Sequence, residues 1–491
     1  MFWYPTVKKI HKTFTFQKVS LSHGSLVFYN LRGGSELIGI DLICERVVVS
    51  ISWRQLLRKG RQAWTIQITG FHTNFSTKNK VEPSKNVLSS TGKNNSTRKI
   101  AVAFYRNVNL YIQDINIPKF NLFKGEMTFI CKTTENVGYS NQSLRFEIQA
   151  NGNLIQFISN SNCENDKIFI DPSSTFTLNK ISMMTGGFFD FNTLQFNISV
   201  LLHRLTFAEV LESIPKLKKI FSESTFIGQI GIRATITGCA NWLQSPVITF
   251  MQNSNVKCIP SQEFINVITG DLPHTIAPMS NINHGDGEVK PVYCRAIRNV
   301  ILATEDPNFF SHNGLDLKAI GYAIGENCKN RRIIRGASTI SMQLVKNLFL
   351  TEERSIFRKI EELIITLVIE NLTPISKITI LNRYLSIIKF ADAVYGVPSA
   401  TKFYFNMSVH ELDLDECLVL SYIVPRPDYF LDALTNKSDK LIINLASHFR
   451  FYVPFLIKKG WITKIEASEL NYKVPFFGNK ITIDLKLLKY V

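Results

Sequence analysis

The chain has 491 residues, 45% of them hydrophobic and 19% charged, with a net charge of +17. Its length and apolar content exclude a disordered chain and a single small module, and predict two to four domains with real cores. The positive balance favours an anionic partner, whether nucleic acid, an acidic lipid surface or a phosphorylated substrate. Lysines and arginines spread this evenly fit a solvated basic surface equally well. The eight cysteines contain no C-x-x-C pair, which argues against a structural zinc site and a dense disulfide framework and favours free buried thiols.

No apolar run reaches the 18 or more residues of a transmembrane helix. The opening MFWYPTVKKIHKTF lacks the apolar core of a signal peptide. For a protein working outside the cytoplasm, an anchor upstream of this start is expected.

Residues 14–70 alternate between apolar and polar positions. Phe14, Phe16, Val19 and Leu21 lead to a turn at His23-Gly24, and Leu26 and Phe28 follow. Val47 to Trp53 and Trp64 to Ile68 continue the period-two pattern, which predicts strands with one buried face. The polar, basic stretch 76–99 predicts a disordered insertion. Strand-like runs resume at Ile100 to Ile117, Met127 to Thr133, Leu144 to Ile158 and Phe188 to Val200. One short helix is predicted over LTFAEVLESIPKLKKIFS, followed by strands in FIGQIGIRATITGCA. The stretch 270–291, rich in Gly, Pro, Asn and Asp, predicts a domain boundary. Beyond it the period turns helical: Tyr293, Ala296, Ile297, Val300 and Ile301 form one stripe leading to Glu305.

Three polar clusters then interrupt the apolar helical pattern. Pro307 disfavours helical geometry at Asp306, so the helix is expected to end near Glu305. A carboxylate at that end meets the negative pole of the dipole, beside the apolar Ile301, Phe309 and Phe310. Both effects raise its pKa, as a general base requires. Taken alone, Glu305 also reads as an ordinary exposed acid before a turn. Gly336-Ala337-Ser338-Thr339 opens a second helix, with Ser338 as the expected cap at an anion-holding helix start. Gln343, Lys346 and Asn347 follow on it. Arg354, Arg358 and Glu362 fall four apart on one face of a third helix. Ile356, Ile360, Leu363, Ile364 and Leu367 are expected opposite. The plain alternative is a surface ion pair of about 0.2–0.5 kcal/mol.

The order Glu305-Asp306-x-x-Phe309-x-x-His312-x-Gly314, then Gly336-x-Ser338-Thr339-Ile340-x-x-Gln343-Leu344-x-Lys346-Asn347, then Arg358-Lys359-x-x-Glu362 resembles the first three motifs of family 51 glycosyltransferases. These are the peptidoglycan polymerases found alone or fused to penicillin-binding transpeptidases. The resemblance covers about residues 290–435. It implies a mostly helical, lysozyme-like domain acting on lipid II, with Glu305 as the general base. Lys346, Arg354, Arg358 and Lys359 would hold the diphosphate. Glu362 would be the second acid, placed near a divalent cation (Mg²⁺ or Mn²⁺). Ser338, Thr339, Gln343 and Asn347 would line the donor side, and Asp306 and His312 would support the loop.

Leu315 to Arg335 matches the family's membrane-dipping jaw, with Ile320, Tyr322 and Ile324 before Lys329, Arg331, Arg332 and Arg335. A buried helix with a basic loop reads equally well. The segment KITILNRYLSIIKFADAVYGVPSATKFYF resembles the fourth motif, with departures at Asn382, Ser386, Ala391 and Pro398. Met342 is a further departure, in the second motif. No ordered S-x-x-K, S-x-N and K-T-G set follows, so crosslinking would need a separate transpeptidase.

The strand rhythm of the first half resembles AsmA-like β regions of the bacterial envelope. The expected architecture is multidomain α+β: an elongated β-rich domain at 1–269, a linker at 270–291, and a lysozyme-like domain at 292–491. The expected function is polymerisation of lipid II onto a growing glycan strand at the periplasmic face of the inner membrane. The rival readings are a catalytically impaired envelope scaffold or lipid-handling protein, a glycan hydrolase, and a nucleic-acid binder. A cationic stripe has no use in hydrolysis, and only net charge speaks for nucleic acid.

Overall fold

The structure is a computed structural model. It describes residues 14–22, 25–35, 40–51, 64–75, 108–113, 115–116, 126–136, 139–150, 153–164, 167–190, 192–270, 293–330, 334–351, 355–478 and 480–485. The predicted insertion 76–99, Arg354 of the third cluster and nearly all of the predicted boundary lie outside these residues.

The first half is dominated by one 15-stranded sheet. Its strands run β1 (Phe14–Thr15), β2 (Lys18–Ser22), β3 (Ser25–Ser35), β4 (Ile40–Ile51), β5 (Trp64–Phe75), β6 (Val108–Gln113), β7 (Ile115–Asn116), β8 (Glu126–Asn136), β9 (Tyr139–Ala150), β10 (Asn153–Glu164), β11 (Lys167–Leu178), β12 (Ile181–Asp190) and β13 (Gln195–Thr206). A two-stranded sheet pairs β14 (Thr225–Ile227) with β17 (Lys257–Ile259), and between them β15 (Gln229–Cys239) and β16 (Val247–Ser254) complete the large one. Pairing is antiparallel except where β5 meets β6 and β7.

The period-two pattern becomes register. Phe28 pairs with Val47 and Val47 with Ile68. Ile155 pairs with Leu178 and Leu178 with Ile181. Ile198 pairs with Ile236 and Ile236 with Ile248. Alternation puts the apolar residues of each paired set on one face of the sheet, and a one-residue slip would move that set to the other face.

Three sequence expectations are corrected here. The run Leu144 to Ile158 is two antiparallel strands, β9 and β10. Phe188 to Val200 is likewise split between β12 and β13. There Asp190 Oδ1 accepts from the backbone of Asn192 at 2.7 Å and Thr193 at 3.2 Å, and turns the chain. The single helix is two, α1 (Phe207–Ser213) and α2 (Pro215–Ile220). Thr206 and Glu209 form a capping box for α1, and Pro215, which lacks an N–H, starts α2. A further helix, α3 (Gln262–Thr269), was not read from the sequence.

The second half is mainly helical: α4 (Arg295–Glu305), α5 (Leu317–Lys329), α6 (Ile340–Phe349), α7 (Ile356–Leu372), α8 (Lys377–Ile387), α9 (Val397–Phe405), α10 (Leu414–Ile423), α11 (Pro427–Thr435), α12 (Asp439–Lys458) and α13 (Lys464–Ser468). Among the described residues no helix is long and apolar enough to cross a membrane.

One apolar core runs from the sheet into these helices, from Ile155, Leu178 and Leu202 through Phe207 and Phe264 to Ile301, Ile365 and Leu420. Phe264 of α3 stacks on Phe349 of α6 at 5.4 Å, and Lys216 of α2 pairs with Glu361 of α7 at 3.5 Å. Helices α2 and α3 of the first half therefore brace the helices that carry the second and third polar clusters. Helix α5 leans on the sheet through glycine: a Cβ on Gly321 would sit 2.4 Å from the Pro246 carbonyl oxygen.

Candidate active site

Helix α4 delivers Glu305. Its residues Ile297, Val300 and Ile301 are fully buried, so packing fixes the helix's rotation and height. The helix ends as Pro307 requires, with Asp306 as its cap in a non-helical conformation. Asp306 is buried and its carboxylate is shared. It pairs with His312 Nε2 at 3.0 Å, and its Oδ2 accepts from the backbone N of Ile340 at 3.0 Å. This ties the end of α4 to the start of α6.

The cap of α6 is Thr339, not Ser338. Thr339 Oγ1 accepts from Met342 N and donates to the Gly314 carbonyl at 2.7 Å. Its side chain is consumed by this work, whereas Ser338 stands free to accept from Lys359 Nζ at 2.8 Å.

Gln343, one turn into α6, donates from Nε2 to Glu305 Oε2 at 2.8 Å. The Tyr384 hydroxyl of α8 donates to Gln343 Oε1 at 3.0 Å. Burial raises the Glu305 pKa, and neighbouring Asp306 raises it further; the Gln343 hydrogen bond and the Lys346 charge pull it back. The elevation expected from sequence is thus present, with burial as its first cause. Of the three apolar neighbours named for it, Ile301 and Phe309 are buried, while Phe310 is 51% exposed.

Helix α7 carries the third cluster. Ser355 caps it by accepting from Arg358 N at 3.1 Å. Lys359 Nζ lies 2.6 Å from Glu362 Oε1, and Arg358 Nη1 lies 3.7 Å from Oε2. The orientation of this helix differs from the sequence reading. Glu361, Glu362, Ile365, Val368 and Ile369 are buried, while Ile356, Ile360, Leu363, Ile364 and Leu367 are only half-buried. The helix turns its acid inward because Glu362 is neutralised there by two cations, and its many apolar residues leave no wholly polar face. Burial lowers the Lys359 pKa, and the charges of Arg358 and Lys346 add to this; Glu362 opposes it.

The Lys346 side chain forms no hydrogen bond or ion pair with another described residue, although its charge acts on both Glu305 and Lys359. Asn347 is exposed. The Lys346 charge thus acts both on the acid and on the Lys359–Glu362 pair. Glu362 does not fit a protein-held divalent cation, since its two oxygens face Lys359 and Arg358. Among the described residues, no three His, Cys, Asp or Glu side chains cluster as metal ligands.

A cleft of about 460 Å³ opens beside Glu305, walled by Tyr422, Arg426, Tyr429, Lys440, Asn444, His448 and Tyr452. Sequence reading missed these residues and Tyr384. Lys440, Asn444, His448 and Tyr452 recur every four residues along α12, a polar stripe that was there to find. Tyr384 gave no such signal, because its spacing is that of the core residues Ile380, Leu381 and Leu385. Burial brings the His448 pKa down to about 4, so its ring is neutral at pH 7. Of the departures noted in the sequence, Met342 and Ala391 are buried core residues. Asn382 is 1% exposed with both side-chain polar atoms unpaired, and Ser386 bonds the Arg383 carbonyl at 2.7 Å.

Residues 289–445 match the family model described as Transglycosylase. The chain is 42% identical over 134 residues to a biosynthetic peptidoglycan transglycosylase of Dechloromonas aromatica, covering 27% of this chain and 57% of that one. It is 37% identical over 156 residues to the protein of that name from Nitrosospira multiformis, covering 31% and 67%. The chain belongs to the transglycosylase family. Every one of the three clusters lies inside the transglycosylase match. The chain spans little more than half the length of the Dechloromonas relative, and the match leaves the large sheet outside it.

Proposed function

We propose that this chain is a peptidoglycan glycosyltransferase that polymerises lipid II into β-1,4 glycan strands and releases undecaprenyl diphosphate. The observation that carries the reading is Glu305: a carboxylate with a raised pKa, aimed by Gln343, at an open cleft and within reach of the Lys346 charge.

In this mechanism Glu305 Oε takes the proton of the acceptor sugar's 4-hydroxyl. That oxygen attacks C1 of the donor sugar from the face opposite the diphosphate. The new C1–O bond forms as the bond from C1 to the phosphate oxygen breaks, and the configuration inverts. The electron pair leaves on the diphosphate, where Lys346, Lys359 and Arg358 meet the developing charge. Arg354 is assigned the same role by its motif position. Glu362 holds Lys359 and Arg358 in place. Asp306, His312 and Thr339 act as supports, and Ser338 and Asn347 line the approach. A divalent cation remains an expectation of the family, and no step here uses one.

The domain is assigned a lysozyme-like fold and work at the periplasmic face of the inner membrane, with a separate transpeptidase for crosslinking. The sheet's AsmA-like character rests on its strand rhythm. What favours an active enzyme over an impaired scaffold is the assembled set of acid, glutamine and cations. The departures at Asn382 and Ser386 fall on α8 and Ala391 on the short strand Lys389–Ala391, while Met342 is a buried residue of α6.

The test incubates purified protein with labelled lipid II and resolves products on a gel, beside Glu305→Gln. A ladder of strands from the wild type alone is the expected result. No product from folded wild type across several detergents and metals would sink the reading.

A further inference from the structure

The connection between β15 and β16, residues 240–246, belongs to the sheet and plays no part in the site above. At its tip stands Leu243, 78% exposed, more than any other large apolar residue among those described. The tip is built to hold it out. Trp242 adopts φ +55°, a left-handed conformation uncommon for an aromatic residue. Its N–H donates to the Cys239 carbonyl at 3.0 Å, and its ring packs on Phe196 at 5.8 Å. Asn241 Oδ1 accepts from Leu243 N at 3.1 Å and closes the turn. Val247, just beyond, is 61% exposed. Backbone strain that displays an apolar side chain to water is a cost that needs a use.

This tip is joined to α5. Pro246 packs against Gly321, and Ser245 against Gly325, closely enough that a Cβ on either glycine would collide or crowd. The same helix shows Tyr322, 44% exposed, with the Arg335 guanidinium 4.8 Å over its ring and the exposed Lys318 and Lys329 along its length. Ile334 is 46% exposed nearby in sequence. Tryptophan, leucine and tyrosine beside cations are the residue types that settle at a bilayer's headgroup boundary, and the cations complement an anionic surface.

We propose that residues 240–247 form a membrane-contacting tip, which inserts Leu243 into an anionic phospholipid bilayer alongside α5, with the Trp242 ring anchored on Phe196 holding the turn beneath it. The sheet then helps set the height of the active site above the membrane. This goes beyond the catalytic reading and stands apart from it.

The experiment floats the full chain with vesicles of phosphatidylethanolamine and phosphatidylglycerol, and with phosphatidylcholine alone. It compares wild type, Leu243→Asp, and Ile465→Asp, whose site in α13 is 71% exposed. The expected result is preference for the anionic vesicles, with partitioning about tenfold weaker for Leu243→Asp and unchanged for Ile465→Asp. Lipid II polymerisation in detergent serves as the separate readout of catalysis and should be equal in all three. Wild-type protein that does not float, Leu243→Asp that floats like wild type, or equal loss in both variants would each overturn the tip. None of these outcomes bears on the glycosyltransferase reading, which the detergent assay judges alone.

Discussion

Gln343 Nε2 donates to Glu305 Oε2 at 2.8 Å, and the amide is held that way round because the Tyr384 hydroxyl occupies its oxygen at 3.0 Å. The acid is thus aimed by a residue one helix away and oriented by another, fully buried, on a third. Removing the link has a predictable sign. The Gln343 bond stabilises the ionised carboxylate, so Gln343→Leu raises the Glu305 pKa further. The acidic limb of kcat/KM against pH then moves upward, from a position already above the ordinary carboxylate range. Tyr384→Phe is expected to lower kcat roughly tenfold with a small change in KM, less than the roughly 10²–10⁴-fold expected for losing the base itself. An unmoved limb in Gln343→Leu would show that Glu305 is not the titrating base.

Glu305→Gln separates function from stability. Loss of the base should reduce polymerisation by about 10²–10⁴-fold. The same change should stabilise the fold at neutral pH. A carboxyl whose folded pKa is raised binds its proton more tightly when folded, so its ionisation penalises the fold above the unfolded value of about 4.3. The stability gap between variant and wild type should widen from that pH up to the folded pKa and then level off. Thermal melts between pH 4 and pH 8 measure it, and a gap independent of pH would contradict the buried acid.

Glu362 keeps Lys359 charged. Burial already lowers the Lys359 pKa, and Glu362, 2.6 Å away, opposes that shift. Glu362→Gln removes the opposition, so Lys359 loses its proton at a lower pH. The alkaline limb of the rate profile should move down, and kcat should fall because Lys359 and Arg358 are no longer held. Glu362→Asp should recover part of the loss. A flat alkaline limb in both variants would remove Lys359 from the charge-stabilising set.

A second buried pair tests the scaffold. Glu370 of α7 bonds Lys377 Nζ at 2.7 Å and accepts from the Ser341 hydroxyl of α6; Lys377 also lies 4.3 Å over the Phe309 ring. Glu370→Ala leaves a buried ammonium without its partner, which costs about 3–5 kcal/mol. Glu370→Ala with Lys377→Met should regain most of it. Denaturant midpoints of the single and double variants decide this, and additive losses would mean that the pair is not coupled.

The sequence alone placed Glu305 at the end of a helix and marked the first half as strands. Glu305 was legible because Pro307 stops a helix whose stripe Ile297, Val300 and Ile301 runs straight to it. The strand character of β3, β4 and β5 was legible in their alternation, while their register came from the fold. Both are local signals, written within a few residues of one another. Only the tertiary structure decided which helical face each cluster uses. Helix α7 is apolar nearly all round, so periodicity could not say that Glu362 points inward; the cations of its own helix decided it. Nor could spacing reveal the hydroxyl of Tyr384, since a buried aromatic residue has the same period whether or not its oxygen meets Gln343 forty-one positions away. The bracing of α5 by Pro246 and of α6 by Phe264 joins segments far apart in the chain. Such contacts depend on shape and close approach, and no local pattern in either segment records them.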